Sequence, residues 1–333
     1  MKQRHFDRFL SEIFNLEITK IEGDEILEGI ITNKATSKKH PILKGIPRFV
    51  LPDENYAVNF GIQWNKFKST QLDSQSGLTI THQRFWENTK WPAENLQDKV
   101  FLEAGSGAGR FTEILLKTGA TVVSFDLSNA VDANYDNNYG KHEGDLFIVQ
   151  ANIYDIPFKD GNFDFVFCYG VIQHTPDPNL TYFKIFQKVK PGGSISIDSY
   201  RDYGLPRFAI HYKYSWRKIT TKIKPHILLR IIKFYMPFWL PIDIALKKLP
   251  FRIGSQLLYL FPIPCWNYYG RFDLKYKALL NWAVMDTFDA LGATYDQPKT
   301  LEQIQKMIES PENAFSEVFY GSNGIVANAR KKI

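Results

Sequence analysis

The sequence predicts an α/β protein built on a parallel sheet covered by helices on both faces, and two observations carry that reading. Between residues 100 and 200, short apolar runs of strand length alternate with amphipathic stretches of helix length. The first unit of this alternation, VFLEAGSGAGRFTEILLKTGATVVSFDLS (100–128), also has an internal order that suits a ligand. An apolar run at 100–102 ends in Glu103, and Gly105, Gly107 and Gly109 follow. Phe111, Ile114 and Leu115 then share one helical face, and a second apolar run at 122–125 closes on Asp126. Glycines without Cβ let a ligand approach the backbone, and the helix start behind them offers unpaired N–H groups. A carboxylate ending the next strand is placed to accept both hydroxyls of a ribose. A nucleoside-bearing cofactor is implied.

Taken in order, the chain opens with a small β appendage over 1–55. Its strand-like runs ILEGIIT (26–32) and PRFVL (47–51) flank the polar NKATSKKHP (33–41). Residues 56–99 read as helical lead-in segments, with Trp64, Phe67, Phe85 and Trp86 as packing anchors. The cofactor-binding core spans 100–200. Strands are expected near 100–104, 121–126, 145–150, 163–169 and 194–199, with helices near 108–118, 129–138 and 178–189. A helical insertion over 201–290 follows. Residues 291–333 close the core with a helix in TLEQIQKMIES (300–310) and a hairpin of FSEVFY and GIVANAR.

Composition narrows the class. At 333 residues, with 44% hydrophobic and 23% charged residues, the chain can bury a large core and is not a disordered or membrane-spanning type. Two cysteines in unlike contexts, Cys168 and Cys265, exclude a disulfide scaffold and hold no zinc by themselves. The start, MKQRHFDRFLSEIFN, lacks a long apolar core, so a cytoplasmic protein is expected. The net charge of +6 hides an uneven distribution: residues 201–280 hold fifteen Lys and Arg against three Asp. That segment is also aromatic and aliphatic, but its longest greasy run contains Arg230 and Lys233, whereas a span needs about 20 nearly uncharged residues. Two readings stay open: an interfacial surface or lid over an apolar or anionic ligand, with peripheral membrane contact through 201–280, and a subdomain whose charges are merely solvated.

A glycine turn alone does not choose the cofactor. The spacing Glu-x-Gly-x-Gly-x-Gly departs from a dinucleotide G-x-G-x-x-G, since position 110 is Arg. It resembles the first motif of class I S-adenosylmethionine-dependent methyltransferases. The stretch IVQANIYDIPFKDGNFDFVFCYGVIQHTPDP (148–178) is similar to the middle of the small-molecule group of that superfamily, and KPGGSISIDSY (190–200) to its fifth strand. NFGIQWNKFKSTQLDSQSG (59–77) is similar to a lead-in found in a bacterial subgroup, and HPILKGIPRFV (40–50) resembles the end of a zinc-ribbon-like module. No cysteine precedes 168, so the appendage is expected to be metal-free. The resemblance implies a seven-stranded, mostly parallel, doubly wound sheet with an antiparallel last strand, and S-adenosyl-L-methionine as cofactor.

It also implies roles. Glu103 would orient the methionine ammonium, Ala104, Gly105, Ser106, Gly107 and Gly109 would form the turn beneath the cofactor, and Asp126 would accept the ribose hydroxyls. Leu127 and Ile153 would flank the adenine. Asn152 stands where the family commonly has Asp and would accept from the adenine amino group as a neutral substitute. The backbone at Tyr169 would lie near the methionine portion. His174, just past the fourth strand, is the candidate general base, since only histidine titrates near neutrality unperturbed; capping the HTPDP turn is its other reading. Gln63, Trp64, Gln71, Asp73, His82 and Tyr200 are further substrate-side candidates. Cys168 reads as a packed residue. The function expected is methyl transfer to a small-molecule or lipid-linked acceptor, oxygen first, with nitrogen or carbon open. An RNA methyltransferase is the rival, supported by the basic aromatic segment, and a non-catalytic cofactor-binding protein is the third reading.

Overall fold

The structure, a computed structural model, describes residues 1–51, 55–204, 212–250, 253–260 and 262–333. Parts of the basic segment, 205–211, 251–252 and 261, with Arg207 and Arg252, lie outside the described residues.

The core sheet is built from β5 (Val100–Ala104), β6 (Thr121–Asp126), β7 (Asp145–Gln150), β8 (Phe163–Cys168), β9 (Val189–Ser199), β10 (Asn313–Gly321) and β11 (Gly324–Lys331). Their spatial order is β10-β11-β9-β8-β5-β6-β7. Strands β5 to β9 run parallel, and β11 is antiparallel to both of its neighbours. This is the mostly parallel, seven-stranded doubly wound sheet expected, with the last strand reversed. All five residues of β5 are buried, which explains an unbroken apolar run rather than an alternating one. Each large apolar side chain so buried contributes roughly 1.5–3 kcal/mol. The chain winds outward from β5 through β6 to β7, then returns to place β8 on the other side of β5. That reversal opens a crevice at the carboxyl ends of β5, β6 and β8.

The helices Ile80–Thr89 and Arg110–Leu116 cover one face, burying Phe85, Phe111 and Ile114 against Phe101 and Phe167. Pro178–Gln187 and Leu301–Ile308 cover the other, with Tyr182, Ile185, Ile304 and Ile308 in a second core. The first of these is capped by Asp177, whose carboxylate accepts from the N–H groups of Asn179 and Leu180, and proline stands at its start. A third core belongs to the insertion. There Leu228, Ile232, Met236 and Leu240 of the helix Pro225–Lys247 pack with Leu279, Ala283 and Phe288 of the helix Tyr276–Gly292.

The appendage differs from its sequence reading. It is a short helix, Gln3–Phe9, with a four-stranded antiparallel sheet in the order β1 (Phe14–Glu22), β2 (Glu25–Asn33), β3 (Lys39–Leu43), β4 (Ile46–Pro47). ILEGIIT does lie in β2, where it pairs with β1 and β3. The polar stretch becomes a strand because His40 and Ile42 alternate inward. β1 goes unread because eight of its nine residues are exposed or half-buried and carry no alternation. Of PRFVL only Pro47 is in a strand; the Phe49 N–H donates to the Gln150 carbonyl at 2.8 Å. Arg4 and His5 meet the Asp145 carboxylate at 2.8 and 2.9 Å, and Phe9 stacks on Phe147. The appendage thereby covers the edge strand β7, which would otherwise present unpaired backbone.

Candidate active site

The turn after β5 is fixed by the end of β6. Gly105 and Ser106 donate their N–H groups to the Phe125 carbonyl at 2.8 and 3.0 Å. The Asp126 carboxylate accepts the Gly107 N–H at 3.0 Å on one oxygen, and the Ser128 N–H and Oγ–H at 2.8 and 2.7 Å on the other. Gly105, at φ +82°, leaves no room for a side chain: a Cβ there would stand 2.3 Å from Val171 Cγ2. Gly107 faces the Trp64 indole, 3.1 Å from where its Cβ would be.

Beside this turn lies a cavity of about 550 Å³. Gly105, Ser106, Gly107, Asp126, Leu127, Ile153 and Tyr169 line one part of it, so most of the residues expected at a nucleoside cofactor come together. Four do not line it. Ala104 is buried in β5, and Gly109 caps the helix Arg110–Leu116. Glu103 is turned into the core, where its carboxylate accepts from the Thr112 and Ser124 hydroxyls, themselves bonded by Asn134. Burial pushes its carboxyl up to about 7. Asn152 spends its side-chain oxygen on the Tyr154 N–H at 3.0 Å, stabilising its own turn. The roles read for Glu103 and Asn152 against the cofactor therefore lack the direct exposure they need.

His174 lines the cavity from a single 3-10 turn, Ile172–His174. Its Nδ1 lies 2.9 Å from the Tyr295 carbonyl oxygen. A carbonyl only accepts, so Nδ1 carries the proton, and Nε2 is the ring nitrogen left to face the cavity chemistry. Phe60 and Tyr200 hold the ring at centroid distances of 5.2 and 5.4 Å. Gln63, Trp64, Gln71, Asp73 and Tyr200 also line the cavity, and His82 does not. Asp73 works for the fold: its carboxylate accepts the N–H groups of Thr81 and His82 at the start of the helix Ile80–Thr89. Gln71 accepts from Arg110 at 2.6 Å. Cys168 is fully buried, and burial raises its thiol, in keeping with a packed residue.

Several cavity residues had no local signal in the sequence. Arg84 pairs with Asp198, buried, and Asp198 also accepts the Gly170 N–H at 2.6 Å, pinning the tip of β8. Burial beside Arg84 lowers the Arg110 guanidinium to about 10. From the insertion come Tyr214, Trp266, Tyr268, Phe272 and Trp282, with the carboxylates Asp286 and Asp289. Burial pushes Asp286 up to about 7, against a hydrogen bond with Tyr268, and raises Asp289. Gln63 donates to Asp289 at 3.3 Å, and Gln63 Oε1, 1% exposed, has no partner. Of the described cations of 201–280, Arg271 alone lines the cavity. The described surface that 201–290 turns toward the cavity is mainly aromatic, with Arg271 and the two carboxylates Asp286 and Asp289. Among the described residues no His, Cys, Asp and Glu cluster could hold a metal ion.

The sheet order, glycine turn and strand-end acid define a nucleoside-cofactor α/β domain. Residues 102–197 match the family described as "Methyltransferase domain". That stretch of the chain is therefore similar to a methyltransferase domain. It is 30% identical over 117 residues to a tRNA U34 carboxymethyltransferase of Nautilia profundicola, covering 33% of this chain and 38% of that protein. It is 30% identical over 101 residues to a ubiquinone biosynthesis O-methyltransferase of Coxiella burnetii, covering 30% and 43%. The chain thus spans less than half the length of these relatives. A solved SAM-dependent methyltransferase of Methanosarcina mazei shares 15% identity over 71% of this chain and 94% of that one, with a TM-score of 0.41.

Proposed function

We propose that the chain transfers a methyl group from S-adenosylmethionine to an amine nitrogen of a small acceptor, free or lipid-linked. The observation that carries the acceptor class is the set of hydrogen-bond acceptors the insertion and lead-in bring to one cavity. Asp286, Asp289 and Gln63 Oε1 lie among aromatic rings, and among the described residues no Lys or Arg stands within ion-pair distance of either carboxylate. Carboxylates beside ring faces suit a cationic amine. They oppose a phosphate backbone, which weakens the RNA reading, and they move the acceptor atom from oxygen, favoured by sequence, to nitrogen.

Asp126 would accept the ribose hydroxyls, Leu127 and Ile153 would flank the adenine, and the 105–107 turn with Tyr169 would hold the methionine portion. The fit rests on the close floor at Gly105, where a Cβ would strike Val171, and at Gly107, where one would press on the Trp64 indole at 3.1 Å. When bound, S-adenosylmethionine supplies a methyl carbon made electrophilic by its sulfonium. This chain's own residues do the rest. Asp286 and Asp289 orient the ammonium, and His174 Nε2 takes its proton, freeing the nitrogen lone pair. Trp64 and the rings of the insertion exclude water.

Incubation of cell extract with methyl-labelled donor tests the reading, with products separated into amines retained on a cation exchanger, neutral ethers, lipid and RNA. Label in amine products, free or lipid-linked, lost with Asp286→Asn and Asp289→Asn at unchanged donor affinity, is expected. Label confined to RNA or to ethers overturns the acceptor class.

A further inference from the structure

The helix Pro225–Lys247 is apolar on both sides, and the described structure covers only one of them. Leu228, Ile232, Met236 and Leu240 face the core of the insertion. Ile227, Ile231, Phe234, Phe238 and Ile242, at spacings of four, three, four and four, form a stripe on the opposite side. Phe234 is 77% exposed and Phe238 70%. A helix apolar all round is stable only when both faces are covered, and a contiguous exposed apolar strip marks an interaction surface. The patch continues past the helix end through Leu249, Ile253 and Leu260, each at least 42% exposed.

Charge identifies what covers it. Within 212–250 and 253–260 the one carboxylate is Asp243, fully buried and paired with Lys247 at 2.6 Å. Five cations there are exposed: Lys218, Lys222 and Lys224 precede the stripe, Arg230 stands within it, and Lys248 follows it, whereas Lys233 lies over the Phe67 ring at 5.4 Å and Lys247 is held by Asp243. Arg217 is apart from these, since its guanidinium caps the helix Tyr276–Gly292 through the carbonyls of Ala290 and Ala293. A second copy of this chain would set two such cationic borders against each other in a symmetric contact. An anionic lipid surface satisfies both halves of the pattern, taking the phenylalanines into the acyl boundary and the lysines onto the headgroups. No helix of the described residues is long and apolar enough to cross a membrane.

We propose that this face seats the protein on an anionic membrane surface, the helix Pro225–Lys247 lying in the plane of the interface. The opposite side of the same helix packs on Tyr276–Gly292, which carries Asp286 and Asp289, so the docking element lies directly behind the helix that supplies the cavity's two carboxylates. This does not depend on which atom is methylated.

The full chain is sedimented with vesicles of phosphatidylglycerol and phosphatidylcholine, and with phosphatidylcholine alone. Binding to the anionic vesicles is expected. Lys218→Gln, Lys222→Gln and Lys224→Gln together should weaken it about 100-fold, near fivefold per charge. Phe234→Glu with Phe238→Glu should abolish it, while donor affinity by calorimetry and the circular dichroism spectrum stay those of the parent. Because the phenylalanines are exposed, these changes empty no core. Failure of the parent to bind anionic vesicles overturns the proposal. So does a dimer in sedimentation equilibrium that the Phe→Glu pair dissociates, which makes a second copy the occupant. Lost donor affinity in the parent would instead contradict the methyltransferase reading and leave the membrane result to stand on its own.

Discussion

Asp126→Asn separates the two roles that the structure gives one carboxylate. In the parent it receives the Gly107 N–H at 3.0 Å and two donors from Ser128 at 2.8 and 2.7 Å. Asparagine keeps one oxygen for Ser128 and turns its NH₂ toward the Gly107 N–H, so donor faces donor. A hydrogen bond to a charged group is worth roughly 1.5–3 kcal/mol, and a buried donor left unpaired costs a similar amount. Part of that loss falls on the folded protein, as a drop in stability of roughly 1–3 kcal/mol. The rest falls on the proposed cofactor complex, whose ribose hydroxyls lose an anionic acceptor. Donor affinity should drop about ten- to a hundredfold, at 1.4 kcal/mol per factor of ten. Titration calorimetry with S-adenosylmethionine and with its demethylated product reads the second effect, and thermal unfolding reads the first. Ser128→Ala is the control: it removes one of the three donors, keeps the charge, and should move affinity by less than about threefold. A folded Asp126→Asn protein that binds the donor as the parent does would refute the assignment of this acid to the ribose.

Two further perturbations test the ground beneath the site. Gly105→Ala places a methyl group 2.3 Å from Val171 Cγ2 at a φ of +82°, so stability should fall by roughly 2–5 kcal/mol in urea unfolding. Adding Val171→Ala should restore part of it, and no recovery would show that the backbone alone is responsible. Glu103→Gln tests the buried carboxyl whose folded value lies near 7 against an ordinary 4.5. The folded pKa is the higher one, so this group's contribution is fully present below about pH 4.5 and is lost as pH rises through 7. Glutamine does not titrate, so the variant should gain on the parent across that window, levelling off at roughly 3 kcal/mol. A stability difference that is flat from pH 4.5 to 8 would contradict the buried setting of Glu103.

The core of the fold was legible in the sequence because its signals are local. A strand buried on both faces must be an unbroken apolar run, as in β5, and a turn against a packed neighbour must be glycine, as at Gly105. Asp126 announced itself in the same way, as an acid directly after an apolar strand. The appendage was harder: β1 is largely exposed on its surface, so its residues were free of the alternation that marks a half-buried strand. The direction in which a side chain points was beyond the sequence altogether. Glu103 sits two residues before the glycine turn's floor yet faces Thr112 and Ser124, because the pleat of β5 sends it into the core. The far side of the cavity was set by tertiary structure alone. Gln63 and Asp289 are 226 residues apart and meet only when the insertion folds back over the lead-in helix. Composition marked 201–280 as basic, and so left open a lid over an anionic ligand. Folding sorts charge by solvation instead: a lysine reaches water cheaply through its flexible stem, while a carboxylate stays in a cavity where tyrosine and glutamine donors can hold it. Lys218, Lys222, Lys224 and Lys248 accordingly stand exposed, while Asp286 and Asp289 line the cavity.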